Sequence, residues 1–235
     1  MKKNNSLDTK RTGKVGAELD FASREAYKLL RTNISFAFPD EVNGRVVGVC
    51  SSCPGEGKST TTVNLAYSLA EANNKVLLID GDMRRPSINA VVGLDGAPGL
   101  SDIISGATEV DVNRSVLHKN LDVLVSGHIP PNPAELIGSG KMKALIDEYK
   151  EKYDYVLVDL PPVLSVSDPI AVSKYLSGMI IVVRHEKTGR RDISETIRQL
   201  NYANVKILGF VYNRVGSKRG KKSRRHYEYK YESKD

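Results

Sequence analysis

The chain has 235 residues, of which 40% are hydrophobic and 27% charged, with a formal net charge of +7. That balance is ordinary for a soluble globular protein, and the length allows one sizeable α/β core or at most two small ones. No run approaches the ~20 apolar residues that span a bilayer, and the basic start Met1-Lys2-Lys3 has no apolar stretch behind it, so neither a membrane span nor a secretory signal is expected and the address is cytoplasmic.

Residues 1–16 are polar and basic, with Lys2, Lys3, Lys10, Arg11 and Lys14, and are expected to be disordered. From 17 to 38 the spacing of Phe21, Ala22, Ala26, Leu29, Leu30, Ile34 and Phe36 predicts an amphipathic helix ending near Pro39. The apolar run 46–50 predicts a strand, and directly after it stands Ser51-Ser52-Cys53-Pro54-Gly55-Glu56-Gly57-Lys58-Ser59-Thr60. A strand, a Gly-containing loop, Gly-Lys-Ser and then a helical pattern build a phosphate-binding loop. Successive backbone N–H groups and a helix N-terminus converge on phosphate oxygens, and the helix dipole favours the negative charge. Lys58 is expected to reach the β- and γ-phosphates, and the Ser59 hydroxyl to ligand Mg²⁺. One position departs from the G-x-x-x-x-G-K-[ST] pattern: its first Gly is Ser52. The chain is read as binding a nucleoside triphosphate.

Cys50 and Cys53 form a C-x-x-C pair, but one closes a strand and the other lies inside the phosphate loop rather than opening a thioredoxin-type helix. The pair is taken as a coincidence of the loop, and neither a disulfide nor a metal site is expected.

Downstream, strand patterns at 76–79, 121–125, 155–158, 179–183 and 207–212 alternate with helical patterns at 59–72, 141–152, 169–175 and 191–203. Short, almost uninterrupted apolar strands between helices predict an α/β fold, a doubly wound and mostly parallel sheet covered on both faces. Such sheets bind ligands at the carboxyl ends of their strands. Asp80 ends one buried strand and is followed two residues on by Asp82, while Asp159 ends another. Carboxylates there stand beside the phosphate loop, where Mg²⁺ is held.

From 216 onward no core-forming pattern remains. Lys218, Arg219, Lys221, Lys222, Arg224 and Arg225 precede Tyr227, Tyr229 and Tyr231, which alternate with Glu228, Lys230 and Glu232. The segment reads as a flexible basic and tyrosine-rich tail, with aromatic stacking on RNA as the rival use.

Three elements together resemble the bacterial tyrosine kinases of capsular and exopolysaccharide synthesis, relatives of the MinD/ParA branch of P-loop ATPases. They are the loop at 51–60, Leu-Leu-Ile-Asp-Gly-Asp-Met-Arg-Arg-Pro at 77–86 and Val-Leu-Val-Asp-Leu-Pro-Pro at 156–162. Glu-Ala-Tyr-Lys-Leu-Leu-Arg-Thr-Asn-Ile at 25–34, Pro-Asn-Pro-Ala-Glu-Leu at 131–136 and the tail at 226–231 agree. The resemblance implies a P-loop NTPase fold over 17–215 and ATP with Mg²⁺ as cofactors. It assigns nucleotide binding to Pro54, Gly55, Glu56, Gly57, Lys58, Ser59, Thr60 and Asn213, the last reading adenine. Ser59, Asp80, Asp82 and Asp159 would serve the metal, and Asp80 or Asp82 would orient or deprotonate the attacking tyrosine. Tyr227, Tyr229 and Tyr231 would be autophosphorylated in trans. Glu25, Lys28 and Arg31, at i, i+3 and i+6 of the first helix, would pack subunit on subunit in a homo-oligomeric ring. The implied partners are a membrane-anchored activator (polysaccharide co-polymerase) on a separate chain, recruiting the kinase to the inner membrane face, and a cognate tyrosine phosphatase. Nucleic acid is not expected. A MinD/ParA-type ATPase switch is the competing activity; such switches carry an early lysine in the loop, absent from Ser52-Cys53-Pro54-Gly55.

Overall fold

A computed structural model describes residues 14–38, 44–107 and 111–215. The N-terminal basic run before residue 14 and the tail from 216, with its three tyrosines, lie outside the described residues. Helix α1 (Phe21–Phe36) leads into β1 (Arg45–Ser51), α2 (Lys58–Glu71) and β2 (Val76–Asp80). Three short helices, α3 (Ile88–Val92), α4 (Leu100–Ser105) and α5 (Pro133–Ile137), flank β3 (Leu121–Leu124). The chain continues through α6 (Gly140–Lys152), β4 (Tyr155–Asp159), α7 (Asp168–Ser173), β5 (Gly178–Arg184), α8 (Arg190–Tyr202) and β6 (Ile207–Asn213).

The six strands form one sheet in the order β3-β2-β4-β1-β5-β6, and every pairing is parallel. Strands β2 and β4 are buried along their whole length, as their continuous apolar runs require. Two separate apolar clusters cover the faces. Met142, Ile146, Val172 and Leu200 bring α6, α7 and α8 to one side. Ile34, Leu65, Leu69 and Val91 bring α1, α2 and α3 to the other. The sheet is therefore doubly wound, as the sequence pattern predicts. The short helices α3, α4 and α5 carry no helical pattern in the sequence, whereas the equally short α7 falls within the pattern at 169–175.

The folded unit begins earlier than the sequence predicts. Val15 and Gly16, assigned to the polar N-terminal segment, are buried. Val15 joins the α1–α2 cluster, and the Gly16 N–H donates to Asn64 Oδ1 at 2.9 Å. Among the described residues no helix is long and apolar enough to cross a membrane, and Cys50 and Cys53 are both free.

The topology places the site. Because β1 lies between β4 and β5, with β2 beyond β4, the carboxyl ends of β1, β2 and β4 end side by side. Asp80 and Asp159 are direct partners across β2 and β4. The loop leaving β1 opens over this edge.

Candidate active site

The loop between β1 and α2 turns on two glycines in left-handed backbone, Gly55 at φ +75° and Gly57 at φ +92°. At Gly57 a Cβ would lie 2.1 Å from Asn213 Nδ2, so both conformation and space demand glycine. Lys58 then opens the 14-residue α2, whose N-terminus carries the positive end of the helix dipole. A cleft of about 620 Å³ lies in front of it, walled by Pro54, Gly55, Gly57, Lys58, Ser59, Thr60 and Asp82 on one side. Arg84, Arg85, Ser87, Val91, Pro161, Pro162, Ser165 and Val166 complete it.

Lys58 Nζ stands 2.9 Å from Asp82 Oδ2 and 3.2 Å from Asp159 Oδ2. Burial by itself would lower the lysine's pKa; the Asp159 and Asp82 carboxylates outweigh it and hold the ammonium above its usual range. Asp159 is fully buried and holds a polar junction. Its Oδ2 accepts from Ser59 Oγ at 2.6 Å and its Oδ1 from Thr62 Oγ1 at 3.1 Å. Ser87 Oγ donates in turn to Ser59 Oγ at 2.8 Å.

Asp80 sits behind this junction and is spent on the backbone. Its Oδ1 accepts from Asp82 N, and its Oδ2 from Ser87 N and Ile88 N at 3.1 and 3.0 Å. Burial, then the Asp159 charge, push its pKa up, and burial likewise raises that of Asp159. Asp82 and Asp159 thus meet one ammonium with Asp80 behind them, hard oxygen donors of the kind a divalent cation takes, but among the described residues no group of three or more His, Cys, Asp or Glu is arranged around a common metal position. Asp82 alone of the three walls the cleft. Its Oδ1 also accepts from Arg85 N at 3.0 Å. Arg84, also on the cleft wall, pairs in bidentate fashion with buried Asp168 of α7, at 2.9 and 3.0 Å.

Of the remaining residues assigned by sequence, Asn213 is brought to the loop, where its Nδ2 donates to Glu56 O at 2.8 Å. Glu56 differs from its neighbours, because its side chain is buried and points away from the cleft. It accepts from Cys53 N at 3.1 Å and from the Thr188 hydroxyl. On α1 the expected common side for Glu25, Lys28 and Arg31 is split. Lys28 and Glu25 pair with each other in solvent at 2.7 Å, whereas Arg31 Nη1 donates inward to Ser68 O at 2.6 Å.

A family model described as ParA, NUBPL iron-transfer P-loop NTPase, matches residues 43–234. Tyrosine-protein kinase YwqD of Bacillus subtilis (strain 168) is 39% identical over 208 residues, covering 88% of this chain and 85% of its own. Tyrosine-protein kinase wzc of Salmonella typhi is 31% identical, covering 93% of this chain but 30% of its own. Among solved structures, the chimerical protein CapA2B2 superposes with a TM-score of 0.76 at 35% identity, covering 81% of this chain and 84% of its own. The septum site-determining protein MinD from Pyrococcus horikoshii OT3, complexed with Mg-ADP, superposes with a TM-score of 0.61 at 28% identity, covering 73% of this chain and 71% of its own.

The chain belongs to the bacterial tyrosine kinases. It is a P-loop protein-tyrosine kinase, and its phosphate loop is a nucleotide-binding element. For this kinase, sequence reasoning gave no role to Thr62, Ser87, Asp168, Thr188 or Thr196, all of which hold the site together. Each is an ordinary Ser, Thr or Asp in its own stretch of sequence, and only its long-range partner distinguishes it. Arg84 and Arg85 were within reach, because they stand two and three residues after Asp82 in the Asp80-x-Asp82 element.

Proposed function

We propose that this kinase transfers the γ-phosphoryl group of ATP to protein tyrosines, first to Tyr227, Tyr229 and Tyr231 of a neighbouring copy, and that it thereby regulates export of a capsular or exopolysaccharide. The observation that carries the reading is the Lys58 ammonium held between Asp82 and Asp159 at the mouth of a glycine-built phosphate loop. A tyrosine hydroxyl has a reference pKa of about 10 and is almost fully protonated at neutral pH. Phosphoryl transfer passes through a loose transition state, so the protein's work is positioning and charge neutralisation. Lys58 and the loop N–H groups neutralise the phosphates. Asp82, on the cleft wall, orients the phenol and accepts its proton. Ser59, with Asp82 and Asp159, would hold Mg²⁺, and when bound the metal offsets phosphate charge. Asp80 fixes the 80–88 turn that carries Asp82 and Ser87.

Three further readings go with it. Phe21, Leu29 and Phe36 stand 70%, 63% and 76% exposed on the side of α1 that bears Glu25 and Lys28. An apolar stripe of that kind supports packing of α1 on a second copy and hence a ring. Arg31 would strengthen that contact indirectly, by fixing α1 on α2. A membrane-anchored activator supplied as a separate chain would recruit the kinase to the inner membrane face. A cognate phosphatase would reset the tail. Incubation of the purified protein with an activator peptide, Mg²⁺ and labelled ATP, followed by phosphosite mapping, tests the proposal. Label on the three tail tyrosines is expected, whereas ATP hydrolysis with no phosphotyrosine would favour the ATPase-switch reading.

A further inference from the structure

The phosphate loop is gripped from outside by a segment that neither its motif nor its neighbours in sequence announce. Three successive carbonyls of the loop are held by side chains of the end of β5, the β5–α8 connection and the end of β6. Lys187 Nζ donates to Pro54 O at 2.6 Å, Arg184 Nη1 to Gly55 O at 3.0 Å and Asn213 Nδ2 to Glu56 O at 2.8 Å. In a planar trans peptide the C=O and the following N–H point in opposite directions. Fixing these carbonyls outward therefore turns the N–H groups of Gly55, Glu56 and Gly57 the other way, toward the cleft. None of the hydrogen bonds among the described residues uses those three N–H groups. Two hydroxyls, the half-buried Thr188 and the buried Thr196, complete the grip. Thr188 donates to Glu56 Oε1, while the other carboxylate oxygen accepts from Cys53 N. Thr196 Oγ1 donates to Ser52 Oγ at 2.9 Å, and both residues are 0% exposed.

Ser52 stands where the phosphate-loop pattern has its first glycine. A buried serine hydroxyl needs a partner, and Thr196, on the first turns of α8, is that partner. The substitution and its compensation are thus one feature.

We infer that Thr188 and Thr196 are positioning residues for nucleotide binding, acting through Glu56 and Ser52 to hold the phosphate loop open with its N–H groups converging. The inference rests on the nucleotide reading of this loop. Loss of either hydroxyl leaves a buried partner unsatisfied and lets the loop relax, while the β5 and α8 backbones stay in place. The loss falls on ground-state and transition-state binding together, because the loop N–H groups meet phosphate in both.

The test compares Thr188→Val and Thr196→Val, close in shape but without the hydroxyl, with Thr188→Ser and Thr196→Ser, which keep it. The readouts are the dissociation constant for a fluorescent ADP, the KM for ATP, kcat, and the melting temperature without nucleotide. Each Val variant is expected to weaken ADP binding and raise KM by about tenfold, the size of one buried hydrogen bond with its orphaned partner, with kcat changed less than threefold. The Ser variants restore wild-type affinity. Lys58→Met is the control for the underlying reading. If Lys58→Met weakens ADP binding while both Val variants bind like wild type, the positioning role is overturned and the nucleotide site stands. If Lys58→Met leaves binding unchanged, the loop itself has been misassigned. A Val variant that melts earlier yet binds with wild-type affinity below its transition also overturns the inference, since its hydroxyl then serves the fold alone.

Discussion

Lys58→Met removes the one ammonium in a site with three carboxylates, and its consequences can be worked from the geometry. The lysine head is 11% exposed and meets Asp82 and Asp159 at 2.9 and 3.2 Å. Two effects separate. Loss of a preorganised cation from the transferring phosphoryl group is expected to lower the rate by about 10²–10³, in line with removal of a single transition-state donor. The second effect is on stability. Taking away one partner of a buried ion pair costs about 3–5 kcal/mol when the other stays charged. Ser59 and Thr62 still donate to Asp159, which keeps the cost toward the lower figure. Against a total stability of ~5–15 kcal/mol the domain still folds, with a melting temperature lowered by roughly 6–20 °C. The pH dependence gives the sign. Burial already raises the Asp159 pKa in the fold, and removing Lys58 raises it further. A carboxyl with a raised native pKa holds more protons folded than unfolded, so stability falls as pH rises through the window from the ordinary carboxylate range to the raised value. The deficit of Lys58→Met relative to wild type is therefore larger at pH 8 than at pH 5.5. Phosphotransfer from labelled ATP and paired thermal melts at the two pH values measure both effects. Wild-type phosphotransfer in the variant would refute the role at the phosphates. A melting deficit of the same size at both pH values would refute the charge-compensation argument.

Asp82→Asn is expected to lower kcat by about 10²–10³ with nucleotide affinity within a few-fold, since an amide can neither accept the phenolic proton nor serve Mg²⁺ well; steady-state kinetics beside ADP titration decides it. Asp80→Asn should reduce turnover as well but also lower the melting temperature, because its two oxygens accept three backbone N–H groups. Gly57→Ala adds a Cβ at φ +92° and 2.1 Å from Asn213 Nδ2, so ADP binding should weaken by at least tenfold, and unchanged affinity would contradict the loop geometry. Replacing Tyr227, Tyr229 and Tyr231 together with Phe should abolish most autophosphorylation while an added tyrosine peptide is still phosphorylated. Each phosphate adds about −1.5 to −2 charge beside the basic run, so complete modification of the wild type should loosen a ring held by tail-to-site contacts; light scattering that finds the same mass before and after would sink that switch.

Local sequence determined a good deal of this protein. Continuous apolar runs at 46–50, 76–79 and 155–158 are strands because a parallel sheet buried on both faces needs them. Gly57-Lys58-Ser59 is a phosphate loop because few other sequences place left-handed backbone directly before a helix N-terminus. Asp80 and Asp159 were visible as strand ends near that loop for the same reason. What local pattern could not carry is contact across long separations. Nothing near residue 159 announces that its carboxylate takes Lys58, Ser59 and Thr62 at once, and nothing near Ser52 points to Thr196, 144 residues away. Nor does spacing on α1 reveal that Arg31 turns inward to Ser68 while Lys28 stays in solvent. Those partnerships follow from the strand order, which seats β1 between β4 and β5 and brings their carboxyl ends together. A hydroxyl or carboxylate carries no mark of its partner in its own neighbourhood; burial beside that partner makes the bond obligatory, and only the assembled sheet creates that burial.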